Sequence, residues 1–414
     1  MGITIVGAGI GGLVTALSLE VAGIRDIQIY ERAHEIRGLG VGINLLPHAV
    51  RELSELGLGD RLNPIGASLG AIVFHNAFGQ EIWREKRGTA AGSRWPQLAV
   101  HRGLLQLELL AAVRERLGDI VHLGHELVDV QEGEGSCVAH FATGGAQIRV
   151  ASDVLIGADG IHSRLRALRY PDEGAPIWSG ATLWRGTAVV PRLLNGTTMV
   201  MAGDAVQRFI AYPIAPDLDG QTQLLNFIAE IRGPGSPTVD WNRRVDPAAV
   251  RSLFENWRFP WLDAPAIIDA ATEVLEYPMV DRNPLPRWSF GRTTLLGDAA
   301  HAMYPVGSNG ASQAILDARS LAAELAATTD PVMALNRYEQ VRRPATTAVL
   351  EANRRGGPEQ VMVLAAQRAP EGFDDIDNVI PHAELEQIMA SYRQTAGFDV
   401  AQLNARASLG APAE

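Results

Sequence analysis

The chain has 414 residues, and at roughly 150 residues per domain this length predicts two or three domains. Its 47% hydrophobic and 20% charged residues are typical of globular proteins and exclude a fibrous or disordered chain. The formal net charge of −11 argues against a nucleic-acid partner, and the single cysteine, Cys137, excludes an intrachain disulfide framework and a cysteine-rich metal site, so no metal is expected.

Residues 1–19 carry no charge and are mostly apolar, so their length alone would allow a membrane span or a signal peptide. The segment lacks the basic start of a signal peptide, however, and five of its first twelve residues are glycine, which disfavours a continuous helix. A strand, a turn and a helix in succession explain the pattern better. We therefore expect a cytoplasmic protein without a membrane partner.

The turn that follows this first strand has the spacing of a dinucleotide-binding loop. A short β-branched run, 3–6, precedes Gly7-Ala-Gly9-Ile-Gly11-Gly12, and apolar residues at helical spacing come next. Gly7 permits the tight turn, Gly9 lets a pyrophosphate approach the backbone, and Gly12 lets the helix pack closely on the strand. Free N–H groups at the helix start favour a phosphate. The pattern predicts a Rossmann-like α/β domain that binds FAD or NAD.

Acidic residues follow three of the apolar runs that we expect to form parallel strands. Glu31 lies 24 residues beyond Gly7, close to the distance expected for a carboxylate that accepts from ribose hydroxyls. Asp159 and Asp298 end two later runs, and a proline- and glycine-containing loop then leads into a helix near Gly310. Ligands of open α/β sheets bind at the carboxyl ends of the strands. These acids are therefore candidates for contacts to the sugar and ribityl hydroxyls of a flavin.

With these motifs the sequence resembles the single-component (group A) FAD-dependent aromatic hydroxylases, the class of para-hydroxybenzoate and salicylate hydroxylases. The glycine turn is similar to the ADP-binding motif of that family. Asp159-Gly160, with Ser163 and Arg166, resembles its second motif, and Gly297-Asp298 resembles its third. The segments 38–43, 101–103, 112–118, 184–186, 277–282 and 284–286, together with Gln97, favour the branch that oxygenates phenazine carboxylates.

The resemblance implies an α/β fold in which a Rossmann-like FAD-binding domain of the para-hydroxybenzoate hydroxylase type carries an inserted antiparallel sheet and C-terminal helices. We expect a discontinuous FAD-binding domain at 1–75, 98–175 and 275–355. The substrate-binding β-sheet domain is expected at 176–274 with 76–97, and a helical tail at 356–414. Residues 119–150 read as a β-meander.

The resemblance also implies further FAD contacts. Arg102, at a helix start, is similar to the family arginine near the FAD phosphate and ribityl chain; a solvated helix-start arginine is the alternative. Leu127 is expected to pack on adenine, and Arg32 to flank the pyrophosphate or to lie on the surface. The other positions implied for the cofactor are Val41, Pro305, Gly307, Gly310 and Ala311.

The catalytic residues are less defined by the sequence than the cofactor residues. Tyr212 is a candidate for the base that removes a phenol proton, with structural packing as the alternative. His48 is a second candidate, although packing at a helix start explains it better, and Arg185 can pair with a substrate carboxylate or form a salt bridge. Candidates for the cavity wall, each with plain core as the alternative, are Trp184, Met201, Phe209 and Phe227.

The implied reaction is hydroxylation of an electron-rich aromatic acid, a phenazine carboxylate or an amino- or hydroxybenzoate, with or without loss of the carboxylate. It uses FAD, NADH or NADPH as a transient co-substrate and O₂, through a C4a-hydroperoxyflavin, in a monomer or homodimer. A second glycine fingerprint for NADPH is absent from the sequence. The alternatives are an epoxidase, a halogenase, for which only Lys86 could serve as the lysine, and a non-catalytic flavin-binding protein.

Overall fold

The fold is known from a computed structural model, which describes residues 1–38, 40–216, 219–234 and 243–410. In chain order the strands are β1 Ile3–Val6, β2 Ile27–Glu31, β3 Gly42–Leu45, β4 Gly66–Leu69, β5 Ala71–His75, β6 Glu81–Lys86, β7 Gln97–His101, β8 Val121–Leu123, β9 Glu126–Glu132, β10 Cys137–Thr143, β11 Ala146–Ser152, β12 Val154–Gly157, β13 Ile177–Pro191, β14 Thr198–Gly203, β15 Gln207–Pro213, β16 Thr222–Arg232, β17 Arg243–Val245, β18 Arg258–Phe259, β19 Leu262–Asp263, β20 Ala271–Asp281 and β21 Thr293–Leu295.

The helices alternate with these strands in the first half of the chain and dominate its last quarter. They are α1 Ile10–Val21, α2 Pro47–Glu55, α3 Gly59–Leu62, α4 Arg102–Leu117, α5 Arg164–Arg169, α6 Pro247–Leu253, α7 Ala264–Asp269, α8 Asp298–His301, α9 Gly310–Ala326, α10 Pro331–Arg354, α11 Gln360–Arg368, α12 His382–Ala396 and α13 Val400–Ala405. Within the described ranges, none of them is long and apolar enough to span a membrane.

A five-stranded parallel sheet forms the centre of the FAD-binding part, in the order β21-β12-β1-β2-β8. All four residues of β1 are buried, as expected for a central parallel strand that is covered on both faces. Helix α1 packs against α4 and α9. The predicted strand, turn and helix at the start of the chain are confirmed, and the carboxyl ends of β1, β12 and β21 meet at one edge.

The predicted β-meander is the antiparallel sheet β11-β10-β9. A second three-stranded antiparallel sheet, β3-β7-β4, connects the FAD-binding part to the large sheet. Gly42, Ile43 and Asn44 of β3 and Gln97 of β7 line the cavity described below.

The large sheet has eight strands in the order β17-β20-β13-β16-β15-β14-β5-β6. It is mixed rather than purely antiparallel, because β14 pairs in parallel with β5. This differs from the expected antiparallel sheet, since the connection from β5 to β14 spans the FAD-binding part and lets the two strands run in the same direction. Strand pairing also places 71–75 and 271–281 in this sheet, whereas the expected division assigns 71–75 and 275–281 to the FAD-binding domain.

The two faces of the large sheet have different partners. On one face Phe209, Phe227 and the partly buried Trp184 pack in a cluster that includes residues of α6 and α7. On the other face Met201 and Ile210 meet side chains of the C-terminal helices α11 and α12. The C-terminal segment therefore covers the face that carries the cavity.

Candidate active site

A cavity of about 340 Å³ lies where the carboxyl ends of the parallel strands meet the large sheet. Its wall joins the glycine turn, the loop before α9, strand β3 and the cavity face of the large sheet. The predicted site residues on this wall are Gly9, Gly11, Arg102, Arg185, Tyr212, Asp298, Pro305, Gly307, Gly310 and Ala311. Those that do not line it are Gly7, Gly12, Glu31, Arg32, Val41, His48, Leu127 and Asp159.

The glycine turn has the geometry that a phosphate needs. Gly7 has a φ of +103°, which a residue with a side chain rarely adopts. A Cβ atom at Gly12 would collide with the carbonyl oxygen of Gly7, so this glycine permits the close contact of helix and strand. A Cβ atom at Gly9 would meet nothing within 4 Å, because this residue faces the open cavity. The free space beside Gly9 is where a pyrophosphate can approach the backbone.

The carboxylate of Glu31 braces this turn. Its two oxygens accept from the backbone N–H of Ala8 at 2.8 Å and of Ala33 at 2.9 Å. Each carboxylate oxygen can accept a further hydrogen bond, so these contacts are compatible with the ribose role predicted for Glu31. The structure itself gives Glu31 a role in holding the phosphate turn.

The second motif joins the end of β12 to the third motif. Asp159 accepts from the backbone N–H of Arg164 at 2.7 Å, and its other oxygen, Oδ1, is buried without a partner among the described residues. Burial raises the pKa of Asp159. The fully buried Arg166 donates to the carbonyls of Ala299 and Ala300 at 3.1 and 3.0 Å. Arg166 therefore positions the helix that begins at Asp298.

Asp298 is surrounded by the protein, yet its side chain is open to the cavity. Burial raises its pKa, and the carboxylate faces the space rather than a protein donor. The strand end before it is held by Asp317, which accepts from the N–H of Gly297 at 3.1 Å and lies 2.5 Å from Nε2 of His301. Arg342 donates to the same carboxylate at 2.7 Å. This buried network fixes the direction in which Asp298 points.

The loop before α9 completes the cofactor side. Pro305 and Gly307 line the cavity, and Gly307 has a φ of +64°, close against the hydroxyl of Tyr392. Helix α9 has 17 residues and its N-terminus, Gly310 and Ala311, opens onto the cavity without a side-chain cap. The uncapped N–H groups and the positive end of the helix dipole favour a negatively charged or electron-rich group there.

These features fit FAD. The open space beside Gly9 suits the pyrophosphate. The carboxylate of Asp298, which has no hydrogen-bond partner among the described residues, suits a polyol chain, and the uncapped start of α9 suits the pyrimidine end of the flavin ring. The guanidinium of Arg102 adds a positive charge to the wall at the start of α4, and the backbone N–H of Arg102 donates to the carbonyl of Val41 at 3.0 Å. Arg32 is exposed, and Leu127 is buried in the core of the FAD-binding part.

Tyr212 and Arg185 meet at one backbone carbonyl. The Tyr212 hydroxyl donates to the carbonyl oxygen of Gly42 at 2.9 Å, and Nη2 of Arg185 donates to the same oxygen at 2.7 Å. The Gly42 N–H donates to Asn226 at 2.7 Å. Burial raises the pKa of Tyr212, so the phenol keeps its proton at neutral pH. In this geometry Tyr212 is a hydrogen-bond donor that joins β3 to the large sheet, while its role as a base stays a prediction.

His48 does not reach the cavity. It is fully buried in the first turn of α2, its ring stacks on Phe398 at 6.1 Å between centroids, and neither ring nitrogen has a partner among the described residues. Burial lowers its pKa to about 3. A neutral, enclosed imidazole packs the helix start, which is the explanation that the sequence already favoured over a catalytic role. Of the predicted wall residues of the large sheet, Met201 lines the cavity, whereas Trp184, Phe209 and Phe227 pack on the opposite face.

Sequence reasoning missed the residues that the C-terminal segment brings to the cavity. Glu359, Tyr392 and Phe398 line it, although the sequence after residue 356 shows no motif. Glu359 lies 2.5 Å from Nη1 of Arg208, and Glu230 lies 3.8 Å from the same atom. Burial raises the pKa of Glu359 to about 7. Strand alternation predicts that Arg208 and Glu230 share a face, but nothing local predicts Glu359 as their partner.

Comparison with known proteins agrees with this geometry. Residues 1–174 and 262–353 match the family described as FAD binding domain. The chain is 44% identical to the phenazine 1,6-dicarboxylic acid hydroxylase of Lysobacter antibioticus, over 88% of this chain and 94% of that protein. It is 31% identical to a 3-amino-4-hydroxybenzoate 2-monooxygenase of Streptomyces platensis, over 98% of both chains.

Solved structures show the same fold. The Klebsiella pneumoniae protein HpxO in complex with FAD and uric acid superposes with a TM-score of 0.72 at 25% identity, over 96% of this chain and 93% of that chain. The structure of CtdE in complex with FAD and a substrate has a TM-score of 0.74 at 18% identity, over 96% of this chain and 98% of that chain.

Proposed function

Because the chain belongs to the FAD-binding-domain family, and within it to the single-component FAD-dependent aromatic hydroxylases, we propose that its substrate is an electron-rich aromatic acid of the phenazine carboxylate or amino- or hydroxybenzoate type. The chain is thus an aromatic monooxygenase that uses FAD, NAD(P)H and O₂. The observation that carries the proposal is one cavity that joins the open Asp298 carboxylate and the uncapped start of α9 to an apolar wall with a guanidinium.

The apolar part of the wall is suited to a flat ring. Met199, Met201, Ile210 and Ile228 line the cavity from neighbouring strands of the large sheet. Methionine side chains adapt to aromatic faces and make favourable sulfur contacts with ring edges. The C-terminal helices that pack on this face help to exclude water from the ring.

Arg185 is the residue that we propose for the substrate carboxylate. It lines the cavity, and among the described residues its guanidinium contacts the Gly42 carbonyl, the Tyr212 hydroxyl and the face of the Tyr277 ring, but forms no ion pair with a carboxylate. Its Nε is buried without an acceptor, while Nη2 is held by the Gly42 carbonyl. A guanidinium that is fixed on one side and free on the other can bind a carboxylate without the loss of much side-chain freedom.

FAD supplies the transfer of electrons from NAD(P)H to O₂ and the insertion of one oxygen atom into the ring. The residues proposed to hold it are Gly9, Gly11, Arg102, Asp298 and the N–H groups that begin α9. Tyr212 is proposed as a positioning residue, because its hydrogen bond keeps the Gly42 carbonyl in place. We also propose that the chain divides into a discontinuous FAD-binding domain and a substrate-binding β-sheet domain.

A halogenase is disfavoured by the position of the only lysine. Lys86 ends β6, its side chain is exposed, and it does not line the cavity. A lysine that captures hypohalous acid would have to face the ring of the substrate. The substrate wall carries guanidinium and carboxylate groups instead.

The test is a screen of aromatic acids for substrate-stimulated oxidation of NADH and NADPH by the yellow holoenzyme. The panel contains phenazine-1-carboxylate, phenazine-1,6-dicarboxylate, 3-amino-4-hydroxybenzoate and 3-hydroxybenzoate. We expect stimulation by at least one acid and a product that has gained one oxygen, with loss of carbon dioxide if hydroxylation is decarboxylative. A holoenzyme whose flavin is reduced at the same rate with every acid, and which forms no oxygenated product, would contradict the proposal.

A further inference from the structure

The hydroxyl group of Tyr392, on α12, joins the C-terminal segment to residues 304–309 of the loop before α9. It accepts a hydrogen bond from Nδ2 of Asn309 at 2.7 Å and donates to Oδ1 of Asn353, on α10, at 2.7 Å. The carbonyl oxygen of Val306 lies 3.3 Å from the same hydroxyl. One side chain of the C-terminal segment therefore contacts the loop at both Val306 and Asn309.

The two amide side chains extend this contact along the loop. Nδ2 of Asn309 also donates to the carbonyl of Gly307 at 3.1 Å, and Nδ2 of Asn353 donates to the carbonyl of Tyr304 at 3.2 Å. Both amides are buried, so loss of the Tyr392 hydroxyl would leave each of them without a partner that water can replace. The conformation of the loop therefore depends on this hydroxyl.

Two glycines leave room for the ring of Tyr392. A Cβ atom at Gly307 would collide with the Tyr392 hydroxyl, and a Cβ atom at Gly357 would lie 3.0 Å from Cε2 of the ring. Both glycines have a positive φ, +64° and +49°. Burial raises the pKa of Tyr392, so the hydroxyl keeps its proton and donates at neutral pH. The loop before α9 and the turn after α10 are both shaped around this side chain.

The ring of Tyr392 also separates two cavities. A second cavity, of about 320 Å³, lies among α10, α11 and α12, and polar side chains line it, among them Arg355, Glu384 and Gln387. Gln387 is exposed, so this second cavity is open to solvent. Of the residues that the structure describes, Tyr392 alone lines both cavities. The polar lining suits water, whereas oxygen transfer from a flavin needs a dry site.

We propose that Tyr392 is a positioning residue of the monooxygenase, whose hydroxyl holds the loop before α9 in the shape that FAD needs and whose ring keeps the water of the second cavity out. The inference rests on the proposed function and adds a residue of the C-terminal segment to it. Without the hydroxyl, the N–H groups that begin α9 are held less firmly and stabilise the negative charge of reduced FAD less. Without the ring, water enters, and two electrons from NAD(P)H and two protons convert O₂ to H₂O₂ instead of giving product.

The experiment uses the FAD-loaded enzyme and two variants, Tyr392→Phe, which keeps the ring, and Tyr392→Leu, which removes ring and hydroxyl. In Tyr392→Phe we expect amide hydrogen exchange in residues 304–310 to become roughly tenfold faster or more, because buried partners are lost. The midpoint potential of the bound FAD should become more negative. Tyr170→Phe is the matched control and should change neither, because the Tyr170 hydroxyl donates to the Arg287 carbonyl at 2.7 Å and does not line the cavity.

The second readout is the fraction of consumed NAD(P)H that appears as oxygenated product, with the remainder measured as H₂O₂. Tyr392→Leu should lower this fraction to half or less of its value in Tyr392→Phe. Unchanged exchange and potential in Tyr392→Phe would overturn the role of the hydroxyl, as would exchange that rises equally throughout the chain, since that is a general loss of stability. Equal product fractions in the two variants would overturn the role of the ring. A wild type that oxygenates no acid contradicts the proposed function, while exchange and potential still decide the role of Tyr392.

Discussion

The buried carboxyl of Glu359 makes the stability of this protein depend on pH in a direction that can be calculated. Its side chain is nine-tenths or more buried beside Arg208 and Glu230, with Arg232 and Tyr392 as further charged or titratable neighbours. Burial raises its pKa from 4.5 to about 7. Between these two values the folded chain binds a proton that the unfolded chain releases.

This difference sets the sign and the size of the effect. A carboxyl whose pKa is raised in the folded chain adds to the free energy of unfolding. This stabilisation is fully present below pH 4.5 and is lost as the pH rises through about 7. At about 1.4 kcal/mol per pH unit, the free energy of unfolding falls by up to about 3 kcal/mol across this window. Glu359→Gln removes the titrating group, so the variant should lose this part of the pH dependence and gain relative stability as the pH rises.

The assay is denaturant unfolding of the FAD-loaded enzyme at intervals between pH 5 and pH 8.5, for the wild type and Glu359→Gln. The slope of the unfolding free energy with pH is the readout, because exchanging the protonated carboxyl for an amide shifts the variant by the same amount at every pH, whereas the titration of Glu359 does not. Glu384→Gln is the matched control: Glu384 is partly exposed, and its hydrogen bond to Arg368 lowers its pKa, so it does not titrate in this range. Parallel pH curves for the wild type and Glu359→Gln would refute the reasoning.

Four further substitutions test the cofactor side and the network that supports it. Gly9→Ala directs a methyl group into the open cavity, so this variant should fold normally but lose FAD on gel filtration. In Gly12→Ala the methyl group meets a backbone carbonyl, so this variant should have a lower Tm. Equal Tm values for the two variants would contradict this contrast. Asp298→Asn should weaken FAD binding roughly tenfold or more in a flavin fluorescence titration, and an unchanged Kd would count against its role. Asp317→Asn leaves the buried Arg342 without its carboxylate and should cost about 3–5 kcal/mol of unfolding free energy; a loss below about 1 kcal/mol in denaturant unfolding would exclude this account.

Local sequence determined the cofactor turn and the faces of the strands. Gly7 adopts a positive φ in the turn itself, and a side chain at Gly12 would collide with the Gly7 carbonyl five residues earlier, so the G-x-G-x-x-G spacing was enough to predict the turn. Likewise, the two-residue period of a strand places Arg208, Ile210 and Tyr212 on one face whatever the rest of the chain does.

Only the tertiary structure decided what each face meets. The two-residue strand period does not distinguish the cavity face of the large sheet from the opposite face. Phe209 and Phe227 were therefore equal candidates with Met201 for the cavity wall, and the helices that cover each face decide between them. The partner of Arg208 is Glu359, 151 residues away, and no local pattern encodes a contact of that separation. The cavity joins segments from the start, the middle and the end of the chain, because long-range packing, rather than local propensity, determines which side chains share a buried space.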